Sequence, residues 1–130
     1  MKVAVDTNVL VRAVVGDDPE QAGLAAQVLA DAELIAVALP CLCEFVWVLI
    51  RVYGFQPSAA IRALLAAANV EMNRPAVEAG LLALDAGGDF ADGVIAYEGH
   101  WLGGETFVSF DRKAVSLLSA HGLPARLLQK

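Results

Sequence analysis

The chain has 130 residues, 58 % of them hydrophobic, and a formal net charge of -6, which leaves room for one domain with a real core and none for a second. That acidity excludes the broad cationic face of a protein that coats nucleic acid, although a nuclease that meets phosphate through bound cations stays open. No apolar run reaches the ~18 residues of a membrane span, because Pro40, Glu44, Arg51 and Arg62 interrupt the greasiest stretches. Asp6 falls where the apolar core of a secretion signal would lie, so a cytoplasmic protein is expected. Cys41 and Cys43 are too few for a disulfide framework and are expected to be reduced packing residues. The apolar surplus is expected at an interface with another subunit or a partner.

In chain order, Lys2-Val3-Ala4-Val5 reads as a buried parallel strand that ends abruptly in Asp6, Thr7 and Asn8. Thr7 or Asp6 would cap the helix that runs on to Val15. The turn Gly16-Asp17-Asp18-Pro19 leads to an Ala-rich helix over 20–30, exposed on one side. Leu34 to Ala38 is a second buried strand. Pro40 opens a helix to Tyr53 that carries Glu44 in its first turns and is apolar nearly all round. A helix over 57–68, a short strand over 70–72 and a helix over 75–85 follow. After Gly87-Gly88, a helix begins at Asp89-Phe90-Ala91-Asp92 and ends by Gly103-Gly104. Residues 106–110 form a fourth strand that stops at Asp111, residues 112–121 a last helix, and residues 125–128 a short edge strand.

Strands alternating with helices imply an α/β domain with a parallel sheet of four to five strands and helices on both faces. With the first strand central, the second and third to one side and the fourth to the other, Asp6 and Asp111 would flank the topological switch point, where α/β sheets bind ligands.

Asp6, Glu44, Asp92 and Asp111 sit at element starts or ends rather than along solvated faces. Crowded carboxylates repel, and a shared divalent ion relieves them. Mg²⁺ takes oxygen ligands and needs neither histidine nor cysteine, and such an ion promotes phosphodiester cleavage by activating water and neutralising charge. Each acid also has a bland reading. Asp6 and Asp111 are good helix caps, Asp89 and Asp92 are favourable charges at a helix N-terminus, and Glu44 alone is a surface acid. Against that, the neighbours Leu42, Phe45 and Val46 would make an unpaired glutamate costly. Arg12, Arg112 and Lys113 offer contacts to phosphate, each set against ordinary surface charge. Trp47, Tyr53, Phe55 and Trp101 read as core or dimer anchors before base-stacking platforms.

The segments Asp6-Thr7-Asn8-Val9-Leu10, the helical Glu44, Asp89 to Ala96 and Thr106 to Arg112 together resemble the successive motifs of PIN-domain ribonucleases. The likeness is greatest to the VapC-like toxins of type II toxin-antitoxin pairs. The resemblance implies a compact three-layer α/β/α sandwich over 1–130, commonly a homodimer, that cleaves RNA with Mg²⁺ or Mn²⁺ and is inhibited by a cognate antitoxin. By position it implies Asp6, Glu44, Asp92 and Asp111 as the catalytic, metal-holding acids and Asn8 as their brace. Asp89 falls at an additional acid, and Ser109 at a hydroxyl that orients a ligand or water. Gly93 and Gly99 depart from the pattern, each weakening its helix by about 1 kcal/mol against Ala.

Two other classes compete. A receiver domain or an aspartyl-phosphate phosphatase also places an Asp at a strand end. The first would show paired acids after the first strand and a late lysine, and the second an Asp where Asn8 stands; neither pattern is present. A non-catalytic module that keeps the fold and pairs with a DNA-binding partner stays open, and it would keep its binding after Asp6→Asn.

Overall fold

The computed structural model describes residues 1–129, which form seven helices and five strands. They fall into two compact units, Met1–Arg74 and the chain from Pro75 onward. In the first unit the order is β1 (Lys2–Ala4), α1 (Thr7–Val15), α2 (Pro19–Asp31), β2 (Leu34–Ala36), α3 (Leu39–Arg51), α4 (Ser58–Ala66) and β3 (Val70–Glu71). The strands pair in parallel as β1-β2-β3, with Val3 opposite Ile35 and Ile35 opposite Val70. β2 is the central strand, and its Ile35 is buried. β1 lies at an edge with Val3 only half-buried, a correction to the fully buried central strand expected from its valines.

Local chemistry sets the ends of these helices. Asp18 accepts from the Gln21 backbone N–H at 3.1 Å and caps α2, and Pro19 occupies its first position, where a missing N–H costs nothing. Gly16 closes α1 at φ 69°, a left-handed conformation that a side chain would resist. The Asn69 amide, half-buried, donates to the carbonyls of Leu29 at 3.2 Å and Ala32 at 3.1 Å, so it satisfies the end of α2 from the entrance to β3. On α3, the stripe Leu42, Phe45, Val46 and Leu49 is buried, while Trp47 and Ile50 are exposed.

The second unit opens in α5 (Arg74–Asp85) and continues with α6 (Phe90–Trp101), β4 (Phe107–Ser109), α7 (Arg112–Ala120) and β5 (Ala125–Leu127). β4 pairs with β5 in parallel, Val108 opposite Arg126, and α7 packs on both strands. The α/β class with parallel pairing is therefore present, its strands divided into sheets of three and two. Each strand is only two or three residues long, and β4 takes the partner that the short α7 crossover returns to it.

α5 and α6 meet through glycine. The Phe90 ring lies over Gly80, where a Cβ would come within 2.6 Å of it, and a Cβ on Gly93 would strike the Ala79 carbonyl oxygen and lie 2.9 Å from the Gly80 Cα. Gly93 is thus a contact residue and not merely a weak point in its helix. Gly99 has open space around it and does carry that weakness.

Candidate active site

In the first unit Asp6 follows β1 in extended conformation and caps α1, its Oδ1 accepting from the Asn8 backbone N–H at 3.3 Å. Asn8 thus meets Asp6 through its backbone, while its residue lines a shallow, largely apolar groove of about 240 Å³ with Val9, Arg12, Leu24 and Val28. Thr7, buried, is hydrogen-bonded to the Cys41 thiol. Burial pushes that thiol above its ordinary pKa, and the negative charges of Asp6 and Glu44 push it further, against the pull of Thr7. One half-buried sulfur therefore feels both carboxylates, which ties the end of β1 to the start of α3. Glu44 itself is exposed. The expectation that its apolar neighbours would make it costly is corrected: they turn to the buried stripe of α3 and leave the carboxylate in water.

In the second unit three more acids gather at the starts of helices. Asp89 caps α6, accepting from the Ala91 N–H at 2.8 Å, and Asp111 caps α7, accepting from the Ala114 N–H at 3.1 Å. The Asp111 N–H in turn donates to Ser109 Oγ at 2.9 Å, so the hydroxyl fixes the backbone of an acid and keeps its own proton to donate. Asp92 stands half-buried in the first turn of α6. Burial raises its carboxyl above the usual range, and the charges of Asp89 and Asp111 raise it further.

Among the described residues the ion pairs of Arg12 with Asp17 and of the N-terminus with Glu33 leave all five site acids without a basic partner. No group of three or more His, Cys, Asp or Glu is gathered there as a ready metal cage. In each unit the carboxylate donors nevertheless suit a hard cation. In Asp6, Asp89 and Asp111 one oxygen is held by a helix N-terminus, which aims the other, and Asp92 gains most from a neutralising charge. His100 and His121 lie at the far ends of α6 and α7 and offer nothing to this set.

Arg12, a candidate phosphate contact, is engaged with Asp17 at 3.0 Å, and the Tyr53 hydroxyl donates to the same carboxylate at 3.1 Å. Phe110, expected as the last residue of the fourth strand, lies beyond β4 and is exposed.

Among the described residues no helix is long and apolar enough to cross a membrane. No curated protein matches the chain. The PIN domain family matches it over residues 3–117, a span that runs from β1 into α7 and holds every site residue named above. Matched from its first strand into its last helix, the chain belongs to the PIN domain family.

Proposed function

We propose that this protein is a divalent-metal-dependent endoribonuclease, the toxin of a type II toxin-antitoxin pair, acting in the cytoplasm and inhibited by a cognate antitoxin. PIN domains are generally nucleases and usually use divalent metals. The observation that carries the reading to this chain is Asp92: a half-buried carboxylate whose pKa the charges of two others raise further, with no ion-pair partner among the described residues.

Asp6, Glu44, Asp92 and Asp111 are the residues that would hold Mg²⁺ or Mn²⁺, with Asp89 in support. Such an ion, when bound, supplies Lewis acidity toward water and toward the phosphate. The chain's own contribution is orientation and proton control. The caps of Asp6, Asp89 and Asp111 fix those carboxylates before any substrate arrives. Asp92, whose carboxyl is raised by burial and by the charges of Asp89 and Asp111, is the acid whose ionised form a bound cation would favour. Ser109 sets the Asp111 backbone and keeps a hydroxyl proton for a phosphate oxygen or a water. The expected product carries a 5′-phosphate.

Trp47 and Ile50, exposed on α3, are the proposed contact with a second subunit or with the antitoxin. If Trp47→Asp leaves both assembly and inhibition unchanged, α3 has no such role.

The test is cleavage of a mixed RNA pool with Mg²⁺ or Mn²⁺, against EDTA and against the Asp6→Asn, Asp92→Asn double variant. Metal-dependent cuts with 5′-phosphate ends, absent from the variant, are expected. A wild-type protein that takes up no Mn²⁺ by calorimetry and cuts no RNA overturns the reading and leaves a non-catalytic PIN-fold module.

A further inference from the structure

We infer that Cys41 is a positioning residue for the proposed cation site: joined to Thr7, it fixes the start of α1 against the start of α3 and so sets Asp6 relative to Glu44; this rests on the metal-dependent nuclease reading. The sheet brings the two helix starts together. Ala4 pairs with Ala36 in parallel, and the Val5 N–H donates to the Ala36 carbonyl at 3.2 Å, so the chain leaves both strands side by side, toward Asp6 and toward Ala38. α1 then packs on α3. Each helix start carries one candidate acid and one member of the Thr7–Cys41 pair. Asp6 caps α1 directly before Thr7, and Glu44 lies three residues after Cys41, on the same face of α3.

The chemistry of the pair supports that role. Among the described residues Thr7 is the one buried polar residue, 7 % exposed. A buried hydroxyl needs a partner, and the Cys41 thiol supplies it. α3 has no side-chain cap of its own at Ala38, so the bond to Thr7 holds its first turn from the neighbouring helix. Packing alone does not account for the cysteine, because alanine or valine would occupy the same place and offer nothing to Thr7. Burial, and then the charges of Asp6 and Glu44, push the thiol up, so it meets both acids as a neutral group. It can brace them without adding a third charge. Groups that orient metal-holding side chains in this way govern how tightly the ion is held, although they never touch it.

The test measures Mn²⁺ binding by calorimetry, with Mn²⁺-dependent RNA cleavage and thermal melting beside it. Cys41→Ala and Thr7→Val each remove one half of the pair and are expected to weaken Mn²⁺ binding about tenfold. The double variant should lose no more than the worse single, because both substitutions remove the same interaction. Cys41→Ser keeps a hydrogen-bonding group for Thr7 and should bind Mn²⁺ as wild type does. In cleavage, the half-saturating Mn²⁺ concentration should rise in Cys41→Ala while KM for RNA holds, a split that a general loss of fold would not give. The inference is overturned if either Cys41→Ala or Thr7→Val binds Mn²⁺ within about twofold of wild type, if the two losses multiply in the double variant, or if Cys41→Ser binds as weakly as Cys41→Ala while melting normally. Any of these beside a wild-type protein that takes up Mn²⁺ and cuts RNA overturns the positioning role alone. A wild-type protein that does neither overturns the nuclease reading with it.

Discussion

Gly93 of α6 rests on the backbone of Ala79 in α5 so closely that one methyl group on Gly93 would overlap the Ala79 carbonyl oxygen. Backbone, unlike a side chain, cannot swing aside. Gly93→Ala gains ~1 kcal/mol of helix propensity but loses ~1–3 kcal/mol to overpacking, so a net loss of up to about 2 kcal/mol is expected by urea titration. Because Gly93 follows Asp92, cleavage should fall as well. Gly99→Ala in the same helix meets nothing within 4 Å and should stabilise by about 0.5–1 kcal/mol with activity unchanged.

Asp6 and Asp111 each do two things, capping a helix and presenting charge, and the two are separable by substitution. Asparagine caps as well as aspartate, whereas alanine loses the cap at a cost of about 1 kcal/mol. Asp111→Asn is therefore expected to melt close to wild type and Asp111→Ala lower, while both lose cleavage by at least about a hundredfold in kcat. Equal activity in Asp111→Asn and wild type would remove Asp111 from the proposed metal set.

Asp92 gives stability a pH dependence of defined sign. Its carboxyl is raised in the fold by burial and by Asp89 and Asp111, so the folded state binds the proton more tightly than the unfolded chain. The resulting stabilisation is complete below the unfolded pKa and is lost as pH rises through the raised folded value. Asp92→Asn should accordingly melt slightly above wild type at neutral pH, the gap closing in acid. The effect is small because the group is only half-buried. Added Mn²⁺ should raise the wild-type melting temperature more than that of the variant.

Asn69 supplies a test outside the site. Its amide faces two carbonyls, of Leu29 and Ala32. Asn69→Asp replaces two donors by acceptors at the same place, and a loss of about 2–3 kcal/mol is expected in chemical denaturation, eased at low pH where the acid regains a proton.

Much of this was legible along the chain because its causes act over one helical turn. Asp18 before Pro19, Asp111 before Arg112 and Gly16 after Val15 mark helix ends through hydrogen bonds to the nearest few residues. The placing of the candidate acids at element ends was legible for the same reason, since a carboxylate at a strand end or helix start is a local pattern. Where the reading failed, the cause lay farther off. Glu44 was judged costly from its sequence neighbours, yet those neighbours point into the buried face of α3 and it does not.

The sequence by itself determined the alternation of strands and helices, the parallel pairing and the helix-capping aspartates, all consequences of periodicity, capping and turn chemistry. Only the tertiary structure decided that β4 pairs with β5 and that β1 lies at an edge of its sheet. It also decided that Gly93 is a contact and Gly99 a weakness, that burial and neighbouring charges raise the Asp92 carboxyl, and that Phe110 is left in water. Each of these depends on which atoms from other elements fill or leave empty the space around a residue, and composition within one turn carries no record of that.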